Sequence, residues 1–197
     1  MADKNARRTQ QDLAVAGPER IRNVVLVGPS QSGKTTLVEA LLLEGGAITR
    51  AGSVADGTTV SDHDDAEHVH QRSVSLAVAP VVHAGVKINL LDTPGYADFV
   101  GEVRAGLRAA DCALFVLAAN EVVDAATTAL WRECSEVGMP RVVVVTKLDH
   151  ARADVDAAVA SAREAFGEHV VPAFVFEEGR LTPLLTGADA RRAPLIE

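Results

Sequence analysis

Aromatic residues are scarce in this chain: one Trp, one Tyr and five Phe, 4% of 197 residues. A core must then be built from Ala, Val and Leu, within a 48% hydrophobic share, rather than from stacked rings. Cysteine is nearly absent. Cys112 lies in an apolar run and Cys134 in a helical pattern, and two thiols give neither a disulfide framework nor zinc-ligand spacing. Both read as reduced, buried filler. Basic residues are in deficit, with 19 Lys plus Arg against 27 Asp plus Glu and a net charge of -8. That balance argues against a protein that coats DNA or an anionic membrane by bulk charge. Long apolar runs are missing too: the longest, Cys112 to Ala119, has eight residues, whereas a helix crossing a bilayer needs roughly 20. Met1 to Arg20 carries Asp3, Lys4, Arg7, Arg8, Asp12 and Glu19 with no apolar stretch, unlike a signal peptide. What these absences leave is one soluble, acidic globular domain, expected in the cytoplasm, without membrane or direct DNA binding.

Residues 1–20 are polar, lack periodicity and end in Gly17-Pro18, so they read as a flexible tail. Strands and helices alternate from Ile21 onward. Val24 to Val27 is a short β-branched run, followed by a Gly-rich turn and a helix over Lys34 to Glu44 with Leu37, Val38, Leu41 and Leu42 on one face. Gly45 to His70 is glycine-rich and acidic, a loop long enough to be functional or disordered. Ser73 to His83 and Val86 to Leu91 straddle Ala84-Gly85 as a hairpin, with Asp92 to Gly95 breaking its second strand. Phe99 to Ala110 has helical spacing, Ala113 to Ala118 reads as a fully buried strand, and Leu130, Trp131, Cys134 and Val137 mark a helix ended by Gly138 and Pro140. Val142 to Val145 is the next strand, and Val155 to Phe166 the helix after it. The alternation calls for an α/β fold: a mostly parallel sheet with one antiparallel hairpin strand and helices on both faces. After Gly167, Val170 to Phe176 could add a strand, and Glu177 to Glu197 has no firm pattern.

Gly28-Pro29-Ser30-Gln31-Ser32-Gly33-Lys34-Thr35 satisfies G-x-x-x-x-G-K-[ST] between a strand and a helix, the context that gives this motif meaning. Glycines let backbone N–H groups turn inward around phosphate oxygens, and the helix start adds unsatisfied N–H groups and a positive dipole end. Lys34 is suited to neutralising β and γ phosphates, and the Thr35 hydroxyl to ligating Mg²⁺. The bland alternative is a Gly-rich turn capping a helix. Asp92, at a strand end with Thr93-Pro94-Gly95 turning the chain away, fits a second carboxylate for the metal, with the Gly95 N–H facing a γ phosphate; an ordinary turn is the alternative. Thr146-Lys147-Leu148-Asp149 follows another strand, where α/β sheets bind ligands. A carboxylate there can accept two hydrogen bonds from a guanine edge, which adenine cannot supply. Otherwise Lys147 and Asp149 are a solvated pair.

At these residues the chain resembles the translational GTPases, and among them elongation factor G, its paralogues and the ribosomal-protection proteins. The resemblance runs over residues 21–166 and rests on four blocks. Gly33-Lys34-Thr35-Thr36-Leu37 with Glu39 looks like the first G motif and Asp92-Thr93-Pro94-Gly95 like the third. Asp98-Phe99, Glu102-Val103, Leu107 and Asp111 resemble the helix and strand that follow. Trp131-Arg132, Pro140-Arg141 and Lys147-x-Asp149 resemble the approach to the fourth. The resemblance implies a P-loop NTPase of the Ras-like G-domain type over residues 21–176. With it come GTP/GDP as ligand, Mg²⁺ as cofactor and the ribosome as activating partner; a monomer is expected besides. It carries over nucleotide contacts to Gly28 through Thr36, Asp92 through Gly95, Thr146, Lys147 and Asp149, metal contacts to Thr35, Asp92 and Ser75, and catalytic roles to Lys34, Gly95 and the position of Tyr96.

The chain also departs from that pattern. Tyr96 stands where the family usually has the His that orients the attacking water, and a phenol with a pKa of about 10 cannot replace an imidazole at neutral pH. GTP is therefore expected to bind and to be cleaved slowly. Arg72-Ser73-Val74-Ser75 occupies the place of the switch segment R-G-I-T; Ser75 keeps a hydroxyl for the metal, or is a plain strand residue. Gln31 replaces a common Asp. Thr146 replaces the Asn whose amide braces the phosphate loop, so guanine affinity is expected to fall. For the Ser-Ala pair of the fifth motif only Thr186-Gly187-Ala188 offers itself. Residues 177–197 are accordingly expected to be disordered or to begin a truncated insertion. His63, His68 and His70 among Asp62, Asp64, Asp65 and Glu67 read as a solvated face rather than a metal site. Three readings follow: a GTPase, a nucleotide-binding module acting by occupancy alone, and a P-loop ATPase or kinase, against which Asp149 argues.

Overall fold

The computed structural model describes residues 13–61, 75–95, 100–177 and 180–183. Tyr96, the Asp62 to His70 run, Arg72-Ser73-Val74 and Thr186-Gly187-Ala188 lie outside them.

A 3₁₀ turn at Pro18–Arg20, within the expected tail, leads into β1 (Ile21–Val27). Helix α1 (Lys34–Glu44), the hairpin β2 (Ala77–His83) and β3 (Val86–Asp92), and helix α2 (Val100–Ala109) follow. Then come β4 (Cys112–Ala118), α3 (Ala125–Glu136), β5 (Arg141–Thr146) and α4 (Val155–Phe166). The sheet order is β2-β3-β1-β4-β5, with β1 parallel to β3 and β4, β4 parallel to β5, and β2 antiparallel to β3. The α/β sheet with one antiparallel hairpin strand is therefore as expected. At the hairpin, Ala84 and Gly85 have φ of 50° and 74°, the left-handed pair that a two-residue turn between right-twisted strands requires.

β1 is central, and its side chains feed two cores. Val25 and Val27 join Leu91, Val103, Leu107, Phe115, Leu130, Trp131 and Cys134 on one face. Leu26 joins Val38, Leu42, Ile48, Ala79, Val81, Leu90 and Val116 on the other. The period of two in a strand makes this split. α1 covers the second face, while α2 and α3 cover the first, where Phe166 of α4 also packs. Trp131 stacks on Phe166 with centroids 4.2 Å apart, Phe115 meets Trp131 edge-on at 4.9 Å, and the Arg141 guanidinium lies 4.5 Å from the Trp131 ring centroid. Three of the scarce aromatics, Phe115, Trp131 and Phe166, thus gather in one cluster, while Phe174 on the later strand pair is exposed.

Several boundaries differ from the sequence reading. β1 starts three residues earlier, because Ile21, Arg22 and Asn23 pair with Lys87, Ile88 and Asn89 although two of the three are polar. Asp92 ends β3 rather than breaking it, paired with Leu26 and Ala77. Leu41, read on one helical face with Val38 and Leu42, and Val137, read as part of a helix, are both exposed; Glu39 takes an inward position on α1, and α3 ends at Glu136 before Val137. Cys112 is half-buried rather than buried, and both thiols are free. Beyond Gly167 the chain forms a separate antiparallel pair, β6 (Phe174–Glu177) and β7 (Arg180–Pro183), the second in a stretch without a readable pattern. Among the described residues no helix is long and apolar enough to cross a membrane.

Candidate functional site

Because β1, β3, β4 and β5 run parallel, the segments that leave their carboxyl ends emerge along one edge of the sheet. Three of those segments surround a single cleft of about 670 Å³. Ser30, Gln31 and Gly33 come from the loop after β1, and Lys34, Thr35 and Thr36 from the start of α1. Thr93 and Gly95 follow β3. Thr146, Lys147 and Asp149 come from the end of β5 and the turn beyond it.

The loop after β1 is held from several sides. A β-carbon on Gly28 would collide with the Val116 carbonyl, so only glycine fits against β4 there. The Ser32 N–H donates to the Pro29 carbonyl at 3.2 Å, and Gln31 has a left-handed φ of 63°. Such a backbone is uncommon outside glycine and marks a place where the surroundings impose the turn. Ser32 is fully buried, with its hydroxyl against Gly28. Thr146 Oγ1 lies 2.6 Å from the Ser32 carbonyl and 3.1 Å from that of Leu117. Thr146, though not an amide, thus keeps a side-chain hydrogen bond to the loop.

The Lys34 ammonium donates to the carbonyls of Gly28 (2.9 Å) and Pro29 (2.8 Å). Burial pushes its pKa down to about 8, against the pull of the negative charges of Asp92 and Asp124. The Thr35 hydroxyl donates to Asp92 Oδ2 at 2.7 Å, and Asp92 is 1% exposed. The Thr93 hydroxyl, equally buried, donates to the Leu26 carbonyl and ties the Asp92–Gly95 turn to β1. A β-carbon on Gly95 would stand 2.5 Å from Ser30 N and 2.7 Å from Lys34 Nζ, so that turn rests directly on the loop. The turn after β5 is tight as well: Lys147 has φ 55° and its carbonyl accepts the His150 N–H at 3.1 Å.

Of the residues singled out from sequence, Gly28, Pro29, Ser32, Asp92 and Pro94 are not among those lining the cleft, the last three being buried. Ser75 is exposed and is not among the residues lining the cleft. Leu37, Ala40 and Val54 line it without having been anticipated. The first two could have been found from their i+3 and i+4 relation to Lys34 and Thr36; nothing local points to Val54. Ammonium, loop N–H groups and a helix start suit an oxyanion, and a hydroxyl beside a carboxylate is a donor set for a hard divalent cation such as Mg²⁺. The residues present therefore fit both a phosphate chain and that ion. Among the described residues no group of three or more His, Cys, Asp or Glu is placed to hold a metal.

Comparison with known proteins gives a consistent picture. The model of the elongation factor Tu GTP binding domain matches residues 19–190. An elongation factor G-like protein of Mycobacterium tuberculosis is 62% identical over 172 residues, covering 87% of this chain and 24% of that protein. Elongation factor G 2 of Streptomyces coelicolor is 41% identical over 155 residues, 79% of this chain and 22% of its own length. A tetracycline resistance protein of Streptomyces lividans is 36% identical over 153 residues, 78% and 24%. A solved structure from Thermus thermophilus superposes with a TM-score of 0.75 at 43% identity, covering 82% of this chain and 24% of that one. The chain thus spans about a quarter of the length of the curated relatives it matches.

Proposed function

The chain belongs to the family of the elongation factor Tu GTP binding domain, on its elongation factor G-like side, and from that premise we propose that it binds GTP and GDP, hydrolyses GTP slowly and switches conformation with the γ phosphate. What supports the reading is the convergence of Lys34, Gly95 and Asp149, from segments after three different strands, on one cleft.

In this reading the N–H groups of Ser30 to Thr36 and the ammonium of Lys34 take the phosphates. Thr35 and Asp92, with Ser75, would hold Mg²⁺, which when bound spreads the charge of the β and γ oxygens. Water attacks the γ phosphorus and the bond to the β-phosphate oxygen breaks, leaving GDP and phosphate. The Gly95 N–H donates to the γ phosphate. Asp149 accepts from the guanine edge, with Thr146 and Lys147 shaping its turn. Loss of the γ phosphate removes the contacts of Gly95 and Ser75 and lets their segments relax. Tyr96 in place of a His leaves the water without an imidazole to orient it, and this sets the slow rate. Ribosome activation is proposed from the family alone.

A mant-GDP titration competed with GTP and ATP, with and without EDTA, tests ligand, base choice and metal together. Competition by GTP and not ATP is expected, weakened by EDTA; equal competition by ATP would turn the reading toward an ATPase or kinase. Tyr96 itself favours a second reading, a module that signals by occupancy with vestigial cleavage. Single-turnover cleavage by Tyr96→His, with and without ribosomes, separates the two. A modest gain supports the slow GTPase and a large one the occupancy module, while wild-type rates equal to those of an ordinary elongation factor would remove the role given to Tyr96.

A further inference from the structure

Glu39 is the one carboxylate on the inward face of α1. It is 2% exposed, between Val38 and Leu42 of the core. A buried carboxylate is costly unless its oxygens are hydrogen-bonded. Here each oxygen takes a backbone N–H from the same distant loop, Oε2 from Gly52 and Oε1 from Val60. That loop is closed on itself. The Thr58 N–H donates to the Ser53 carbonyl at 3.0 Å, the Ser53 N–H to the Thr58 hydroxyl at 2.9 Å, and the Gly57 N–H to the Val54 carbonyl at 3.2 Å. Thr59, next to the second anchor, is 2% exposed. The loop therefore behaves as one body held to α1 at both of its ends by one side chain.

Its tip reaches the cleft. Val54, 37% exposed, lines it together with Leu37 and Ala40 of α1. The charged and polar groups suited to phosphate are Lys34, Thr35 and the Ser30 to Gly33 backbone; the three apolar side chains leave an uncharged lining suited to ribose or base. We propose that Glu39 is a positioning residue for nucleotide binding. Its carboxylate clips the Gly52–Val60 loop to the helix that carries Lys34 and Thr35, so that Val54 closes the cleft over the nucleoside. This rests on the guanine-nucleotide reading above.

The clip needs two acceptors at one side-chain position. Glu39→Gln keeps the shape but offers one oxygen, and its amide NH₂ would face a backbone N–H. In the full chain with Mg²⁺, Glu39→Gln is expected to speed mant-GDP release about tenfold, the effect of leaving one buried donor unpaired. Val54→Ala alone should speed release several-fold. In the Glu39→Gln background it should add nothing, because Val54 is then no longer held in place; such non-additivity marks residues acting through one unit. Amide hydrogen exchange gives a readout independent of ligand: the Gly52 and Val60 amides should lose protection in Glu39→Gln while the Gly45 amide, which caps α1 on the Leu41 carbonyl, keeps it. Wild-type protection at Gly52 and Val60 in Glu39→Gln overturns the proposal, and so does a fully additive double variant. Should Glu39→Gln not fold, unchanged release from Val54→Ala overturns it. If wild type retains no mant-GDP, the guanine-nucleotide reading falls, and the proposal falls with it as a statement about nucleotide, whatever the exchange of the two amides.

Discussion

Lys34 shows how a single side chain can tie ligand binding to pH. Its pKa of about 8 lies below the ordinary 10.5 because burial disfavours the ammonium more than Asp92 and Asp124 favour it. Below pH 8 folded and unfolded chains both carry the proton, and the folded state bears the full cost of burying it. Between about 8 and 10.5 the unfolded chain holds more protons, so the ligand-free fold gains stability as pH rises through that window. A phosphate beside Lys34 acts in the opposite sense, favouring the ammonium. Mant-GDP affinity is therefore expected to be flat up to about pH 8 and to fall above it; a profile level to pH 9.5 would overturn the coupling between loss of the Lys34 proton and phosphate binding. Thr146 offers a second test. Thr146→Val keeps the shape and removes the bond to the Ser32 carbonyl, and an unmade bond of this kind costs about 1–3 kcal/mol. Mant-GDP binding should weaken at least several-fold, read by equilibrium titration, while Thr146→Asn returns a donor to the loop.

The helices divide by how they begin. α3 and α4 are capped by Asp124 and Asp154, whose carboxylates accept the Thr127 and Ala157 N–H groups at 2.7 and 2.9 Å. α1 follows Gly33 with no side-chain cap, so its N-terminus presents its dipole end to the cleft with no capping side chain in the way. Asp124→Ala and Asp154→Ala should each cost about 1 kcal/mol, seen as a lower urea midpoint. Only Asp124→Ala should also move the pH at which nucleotide affinity falls, and downward, since the Asp124 charge supports the Lys34 ammonium. The same contrast explains what could be read from sequence. The Gly28 to Thr35 loop, the Asp92 to Gly95 turn and the Thr146 to Asp149 turn carry their chemistry in a few adjacent residues. Val54 reaches the cleft only because Glu39 holds a loop more than ten residues away, and no local pattern encodes that. Arg22 and Asn23 join β1 through pairing with Ile88 and Asn89 despite their polarity, and β7 forms without apolar alternation, so hydrophobic periodicity passes over both.

For the molecule as a whole, the alternation along β1 builds two cores back to back, and the nucleotide cleft lies along the sheet edge where both end. Phe115, packed against Trp131 and Phe166, is the largest fully buried side chain among the described residues. Phe115→Ala should cost about 3–5 kcal/mol, a large share of the roughly 5–15 kcal/mol that holds a domain of this kind together. Its denaturation midpoint should drop accordingly, with nucleotide affinity per folded molecule changing far less. The ring cluster also provides an optical probe. Trp131 is the only indole in the chain, it is 9% exposed, and it lies on the sheet face that α1 does not cover. Its emission should be blue-shifted in the folded chain, move red on denaturation and stay constant when unlabelled GDP fills the cleft, whereas a ribose-linked mant group, which absorbs where the indole emits, should draw that emission down and so report occupancy through the same side chain.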